Sequence, residues 1–92
     1  SATSLAAARG MVSQAQIQRE TVLEAIRAAG VSGLTRLEIE ERTGLRGDCI
    51  RPRVWELLGR DALVQPPRIA VSDETRRNAR GRPMEVLIAL PA

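Results

Sequence analysis

Histidine, lysine, phenylalanine and tyrosine are absent from this 92-residue chain, and Cys49 and Trp55 are its only cysteine and tryptophan. With one cysteine and no histidine, a single chain can build neither a disulfide framework nor a His/Cys zinc site. Cys49 has no imidazole to activate it, and no glycine-rich phosphate loop appears. Catalysis is therefore not expected, nor is a cofactor, and Cys49 reads as a small helix residue. With one aromatic side chain, the core must be built from Leu, Ile, Val and Ala. No apolar run approaches the roughly 20 residues that cross a bilayer. The start lacks the basic segment and long apolar stretch of a signal peptide. A reducing, cytoplasmic setting away from membranes is the expectation. The length suits one small domain, with little room for a deep enzyme cleft.

The charge that is present is one-sided. All 14 basic residues are arginines, against 11 acids. Four of them (Arg9, Arg19, Arg27, Arg36) fall before Arg42, among five acids. The other ten follow, among six acids. A basic surface gathered in one half of a chain is the electrostatic footprint of a nucleic-acid binder.

Local signals outline the elements. Residues 1–12, small and polar around an alanine cluster, read as a flexible N-terminal arm. The rival reading is a short helix that packs on a partner subunit. Residues 13–92 read as the domain. Ser13 can cap a helix running to Ala29, with Gln16 at the capping-box position and Val22, Leu23, Ile26 and Ala29 as its apolar stripe. Gly30 ends it. Val31 and Leu34 of the following connector are expected to be buried, and Leu34 could form a brief strand beside a C-terminal hairpin. Thr35 and Glu38 stand at capping-box spacing, opening a short helix that stops at Gly44. Asp48 can cap the next helix, whose stripe is Ile50, Val54, Leu57 and Leu58. Pro52, four residues on, would remove an early backbone bond, which argues for a start a residue or two beyond Asp48.

On that last helix, Cys49, Pro52 and Glu56 point furthest from the stripe at about 100° per residue. Arg53 flanks that face on one side, Arg51 and Trp55 on the other, and Arg46 lies in the turn before it. The planar fork of arginine matches a guanine edge or a phosphate. Taken singly, each arginine could equally be the solvated face of an amphipathic helix. Beyond Gly59, Leu63 and Val64 could open a strand, Pro66 and Pro67 interrupt it, and Ile69 to Val71 resume it. Ser72 to Pro83 reads as a basic loop holding Arg76, Arg77, Arg80 and Arg82. Met84, Val86, Ile88 and Leu90 alternate as the buried face of a closing strand, with Leu87 an exception on the other face.

Helix, helix, turn, helix, strand, basic loop, strand is an α+β order, that of a winged helix-turn-helix: three helices and a C-terminal β-hairpin wing. The runs Leu34-Thr35-Arg36-Leu37-Glu38-Ile39, Thr43-Gly44-Leu45 and Arg51-Pro52-Arg53-Val54-Trp55-Glu56-Leu57 resemble small bacterial and phage winged helix-turn-helix DNA-binding proteins. Gly81-Arg82 leading into an apolar strand is also similar to their wing. The proline-broken segment from Gln65 to Glu74 departs from the quick turn of many relatives. The resemblance implies binding to double-stranded DNA in a bacterial or phage-infected cell, as a transcriptional regulator or a recombination or packaging accessory factor. The recognition helix would lie in the major groove and the wing on the backbone or in the minor groove. Its DNA-binding residues would be Arg46, Cys49, Arg51, Pro52, Arg53, Glu56, Arg76, Arg77, Arg80 and Arg82, with Arg51 and Arg53 reading bases. Arg80-Gly81-Arg82-Pro83 also looks like the core of an AT-hook, whose arginines enter a narrow minor groove. Its alternatives are plain phosphate contact and a turn merely shaped by glycine and proline. Two copies on two half-sites would multiply specificity, so a homodimer fits this reading. The alternative function is a winged-helix protein-interaction module anchored by Trp55, whose blander reading is a partly buried residue at the core edge.

Overall fold

The computed structural model describes residues 12–91. Most of the N-terminal arm expected at 1–12 therefore lies outside the described residues. Three α-helices precede a two-stranded antiparallel sheet, an α+β fold with the winged-helix layout. Helix α1 is Gln14–Ala29, α2 is Arg36–Thr43 and α3 is Gly47–Leu57; strand β1 is Ile69–Arg77 and β2 is Pro83–Ala89. No helix among these residues is long and apolar enough to cross a membrane.

The helix boundaries follow local chemistry. The Ser13 hydroxyl accepts the Gln16 amide at 3.1 Å and starts α1. At α2 the capping box is complete. The Thr35 hydroxyl accepts the Glu38 amide, and the Glu38 carboxylate accepts the Thr35 amide at 2.9 Å. Gly44 ends α2 at φ 74°, a conformation a side chain would disfavour. Helix α3 departs from expectation. Its N-cap is Arg46, without a side-chain cap, and Asp48 sits inside the first turn. The helix thus begins before Asp48 rather than after it. Pro52 lies inside the helix, where it can donate no backbone bond, and its exposed ring is tolerated there.

The core gathers Val22, Leu23 and Ile26 of α1, Leu34, Ile39 of α2, Ile50, Val54 and Leu57 of α3, Ile69 of β1 and Leu87 of β2. These side chains come from every element, so no helix buries its stripe without the others. Leu34 is the hinge of this arrangement. It forms an isolated antiparallel bridge with Leu87, exchanging backbone bonds of 2.9 and 2.8 Å, as the sequence suggested. Val31, expected to be buried beside it, is fully exposed at 100%. The 3₁₀ turn Gly30–Ser32 carries Val31 outward so that Leu34 can turn inward.

The hairpin differs from expectation in two ways. Leu63 and Val64 open no strand; Leu63 is exposed in a bent segment that returns to α3, where the Arg68 amide donates to the Leu57 carbonyl at 2.8 Å. Instead β1 runs through the polar stretch to Arg77, and the connecting loop is only Asn78 to Arg82. Backbone pairing with β2 and the side-chain ties of Arg76 hold that polar half, with no alternation of apolar residues to mark it. The core-facing side of β2 is also the opposite one. Val71 pairs with Leu87 and Ile69 with Ala89, and all four belong to the core or pack on it. Leu87, the apparent exception, is thus the central core residue, while Met84, Ile88 and Leu90 are half-buried. Val86 on their side is buried, lying against Gly33.

Candidate nucleic-acid interface

The exposed side of α3 is narrower than a helical projection implies. Arg51 and Pro52 are exposed, and Trp55 is 50% exposed. Arg46, at the N-terminal end, is exposed and reaches Asp48 at 3.1 Å. Cys49 is half-buried. The Trp55 ring has the Arg60 guanidinium 5.4 Å from its centroid, a cation–π contact that limits the ring's freedom while leaving it half in solvent. Trp55 is thus partly buried, and its exposed half lies on the same helix face as Arg51 and Pro52.

Glu56 is a correction. About 145° from the centre of the apolar stripe by helical geometry, it should face outward, yet only 8% of it is exposed. The cause is α1, which leans over this side of α3. Glu56 Oε1 accepts from Arg19 Nε at 3.0 Å, and Glu56 Oε2 accepts from an Arg53 guanidinium nitrogen at 2.8 Å. Arg53 also donates to Gln18 Oε1 at 3.2 Å. Its side chain is 14% exposed, and its buried Nε has no partner. Arg19, Glu56 and Arg53 therefore form a charged clasp between α1 and α3. Each carboxylate oxygen is used, one by each guanidinium, so a single negative charge is shared between two positive ones. The base-reading role expected for Arg53 is incompatible with this placement unless the clasp opens, and Glu56 is unavailable to a ligand for the same reason.

The wing divides in the same manner. Arg76 is engaged by the fold although its side chain stays 38% exposed. Its guanidinium binds the Glu38 carboxylate and donates to the Ser32 carbonyl at 2.7 Å. The same Glu38 oxygen accepts the Thr35 amide, so the cap of α2 and the wing strand share one acceptor. Arg76 is thus a tie between hairpin and helix. Arg77, by contrast, is exposed and donates to the Gly81 carbonyl across the loop. Arg80 and Arg82 occupy the tip, both exposed.

Asn78 shapes that tip. Its side-chain oxygen accepts the amides of Arg80 and Arg82 at 2.9 and 3.0 Å, and its backbone amide donates to the Arg82 carbonyl at 2.9 Å. Gly81 takes φ 78°, where glycine has no steric cost. The loop is consequently a closed, internally bonded turn that holds two arginines outward. The Gly81 and Pro83 positions serve that turn. Asparagine ahead of a basic, glycine-containing loop is a legible turn signal, whereas nothing in the sequence marks Gln18 or Arg19 as partners of α3.

The structure therefore leaves two exposed basic features. One is the α3 face with Arg46, Arg51, Pro52 and Trp55. The other is the hairpin tip with Arg77, Arg80 and Arg82. Among the described residues, Arg51, Arg77, Arg80 and Arg82 have no acidic partner. No group of His, Cys, Asp and Glu side chains among them could hold a metal ion. Compared with known proteins, the chain matches no family model, no curated protein and no solved structure.

Proposed function

We propose that this protein binds duplex DNA as a small regulator or recombination or packaging accessory factor, and that it is a binding protein rather than an enzyme. The observation that carries the reading is the set of exposed arginines without acidic partners, on a helix face and on a rigid turn, in a winged-helix layout. Helix α3 would lie in the major groove. Arg51 is the base reader in this reading, since its fork is free to donate two parallel bonds to a guanine edge. Pro52 and Trp55 beside it offer apolar surface suited to a thymine methyl or a sugar. Arg77, Arg80 and Arg82 would meet phosphates or a narrow minor groove.

The test is titration against labelled random-sequence duplex DNA at several salt concentrations. Three to five arginines displacing counterions from phosphates predict a log–log slope of about −3 to −5. Absence of binding at low salt removes the proposal. The second reading, a protein-interaction module, is favoured by one observation, the half-exposed Trp55. It predicts that Trp55 fluorescence is unchanged by DNA and shifts only with a protein partner.

A further inference from the structure

Away from both basic features, the surface carries a fully exposed valine flanked by two hollows. Val31 and the half-buried Ile88 form the ridge between them. On one side lies an apolar hollow walled by Ala89, Leu90 and Pro91, with Arg27 on its rim. On the other lies a hollow walled by Val71 and Ser72, with Asp73 and Glu74 on its rim. The acidic rim exists because β1 bulges. Four residues of advance from Val71 to Thr75 face only two from Leu87 to Glu85, and the extra chain presents Asp73 and Glu74 to solvent. Neither these acids nor Arg27 has an ionic partner among the described residues.

We propose that this ridge is the contact surface for a second copy of the chain, packed about a two-fold axis near Val31 and Ile88. A two-fold contact must be self-complementary, and this surface is so in charge, with unpaired Arg27 on one rim and unpaired Asp73 and Glu74 on the other. The Val31 of each copy seats in a hollow of its partner. The same operation brings the basic rim of one copy towards the acidic rim of the other. An apolar centre with charged rims is the ordinary anatomy of such a contact. A single exposed valine needs no explanation by itself; a valine continuous with Ile88, Leu90 and Pro91, between rims of opposite charge, does. The surface shares no residue with α3 or the hairpin tip, so the inference stands whether or not the chain binds DNA.

The test is sedimentation equilibrium of the full chain without DNA, from micromolar to several hundred micromolar. A monomer–dimer equilibrium is expected. Val31→Asp removes two apolar contacts per dimer and should raise the dissociation constant about a hundredfold. Its circular dichroism should be unchanged, because Val31 contacts no core. Arg27→Glu should weaken the dimer, and adding Asp73→Arg with Glu74→Arg should restore it. A chain that stays monomeric throughout this range overturns the inference. So does a dimer indifferent to Val31→Asp, or one that the charge-reversed variant fails to restore.

Discussion

Replacing Arg53 and Arg51 by alanine, one at a time, should produce opposite defects. Arg53 makes two hydrogen bonds, to Gln18 and to Glu56, from a side chain 14% exposed. Hydrogen bonds to charged groups contribute roughly 1.5–3 kcal/mol each in favourable cases. Two circumstances lower the loss here. Glu56 keeps Arg19 as a partner, so no bare carboxylate is left behind, and the orphaned Arg53 Nε is removed with the side chain. The net destabilisation should be about 2 kcal/mol, which for a domain of this size lowers the melting temperature by about 10 °C. DNA affinity, measured well below that melting temperature, should change less than threefold. Arg51 is exposed and without an acidic partner, so Arg51→Ala should leave stability within about 0.5 kcal/mol. It should cost about 1–3 kcal/mol on the preferred site, a factor of roughly 5 to 150. Urea denaturation followed by circular dichroism gives the first quantity, and fluorescence anisotropy with labelled duplex at fixed salt gives the second. The reasoning is refuted if Arg53→Ala is as stable as the wild type and binds DNA tenfold more weakly. That result would mean that the clasp opens on DNA and releases Arg53 to a base.

Three further outcomes follow from the same structure. Glu56→Ala leaves Arg19 and Arg53 facing each other without their shared carboxylate, and should destabilise by about 3–5 kcal/mol, measurable as a lowered urea midpoint. Gly33→Ala should cost upwards of about 2 kcal/mol. Gly33 has φ 63° and ψ −175°, and an added Cβ would meet the Leu87 carbonyl oxygen at 2.5 Å; a melting temperature equal to that of the wild type would contradict the close approach. The double change Arg80→Ala with Arg82→Ala should weaken binding to all duplexes alike and reduce the magnitude of the salt slope by about 2, with thermal stability preserved because both side chains lie outside the core.

What was legible in the sequence was short-range. Ser13 before α1, the Thr35–Glu38 box and Gly44 act across three or four residues, and the backbone obeys them because orphan amides and left-handed turns are local problems with local solutions. The element order also follows from such punctuation, whereas the Leu34 strand contact joins that residue to the distant Leu87. Which way an apolar side chain faces is not fixed by its type. Val31 is apolar and by type belongs inside, but its place in the 3₁₀ turn directs it outward. Alternation alone places Leu87 on the outer face, because four alternating residues outvote it, yet a strand's two faces look alike until something packs on one of them.

The chain by itself determined the composition of the core, the ends of α1 and α2, and the concentration of arginine beyond Arg42. Those properties reside in residue types and in spacings shorter than a helical turn or two. Only the tertiary structure decided which arginines are available. Arg53 and Arg76 are held by Glu56 and Glu38, while Arg51, Arg80 and Arg82 are left to solvent. A helical projection sees one helix in water. It cannot register that Arg19 of α1 lies over Glu56, because the partners are separated by 37 positions and meet only when α1 and α3 bury their stripes in the same core.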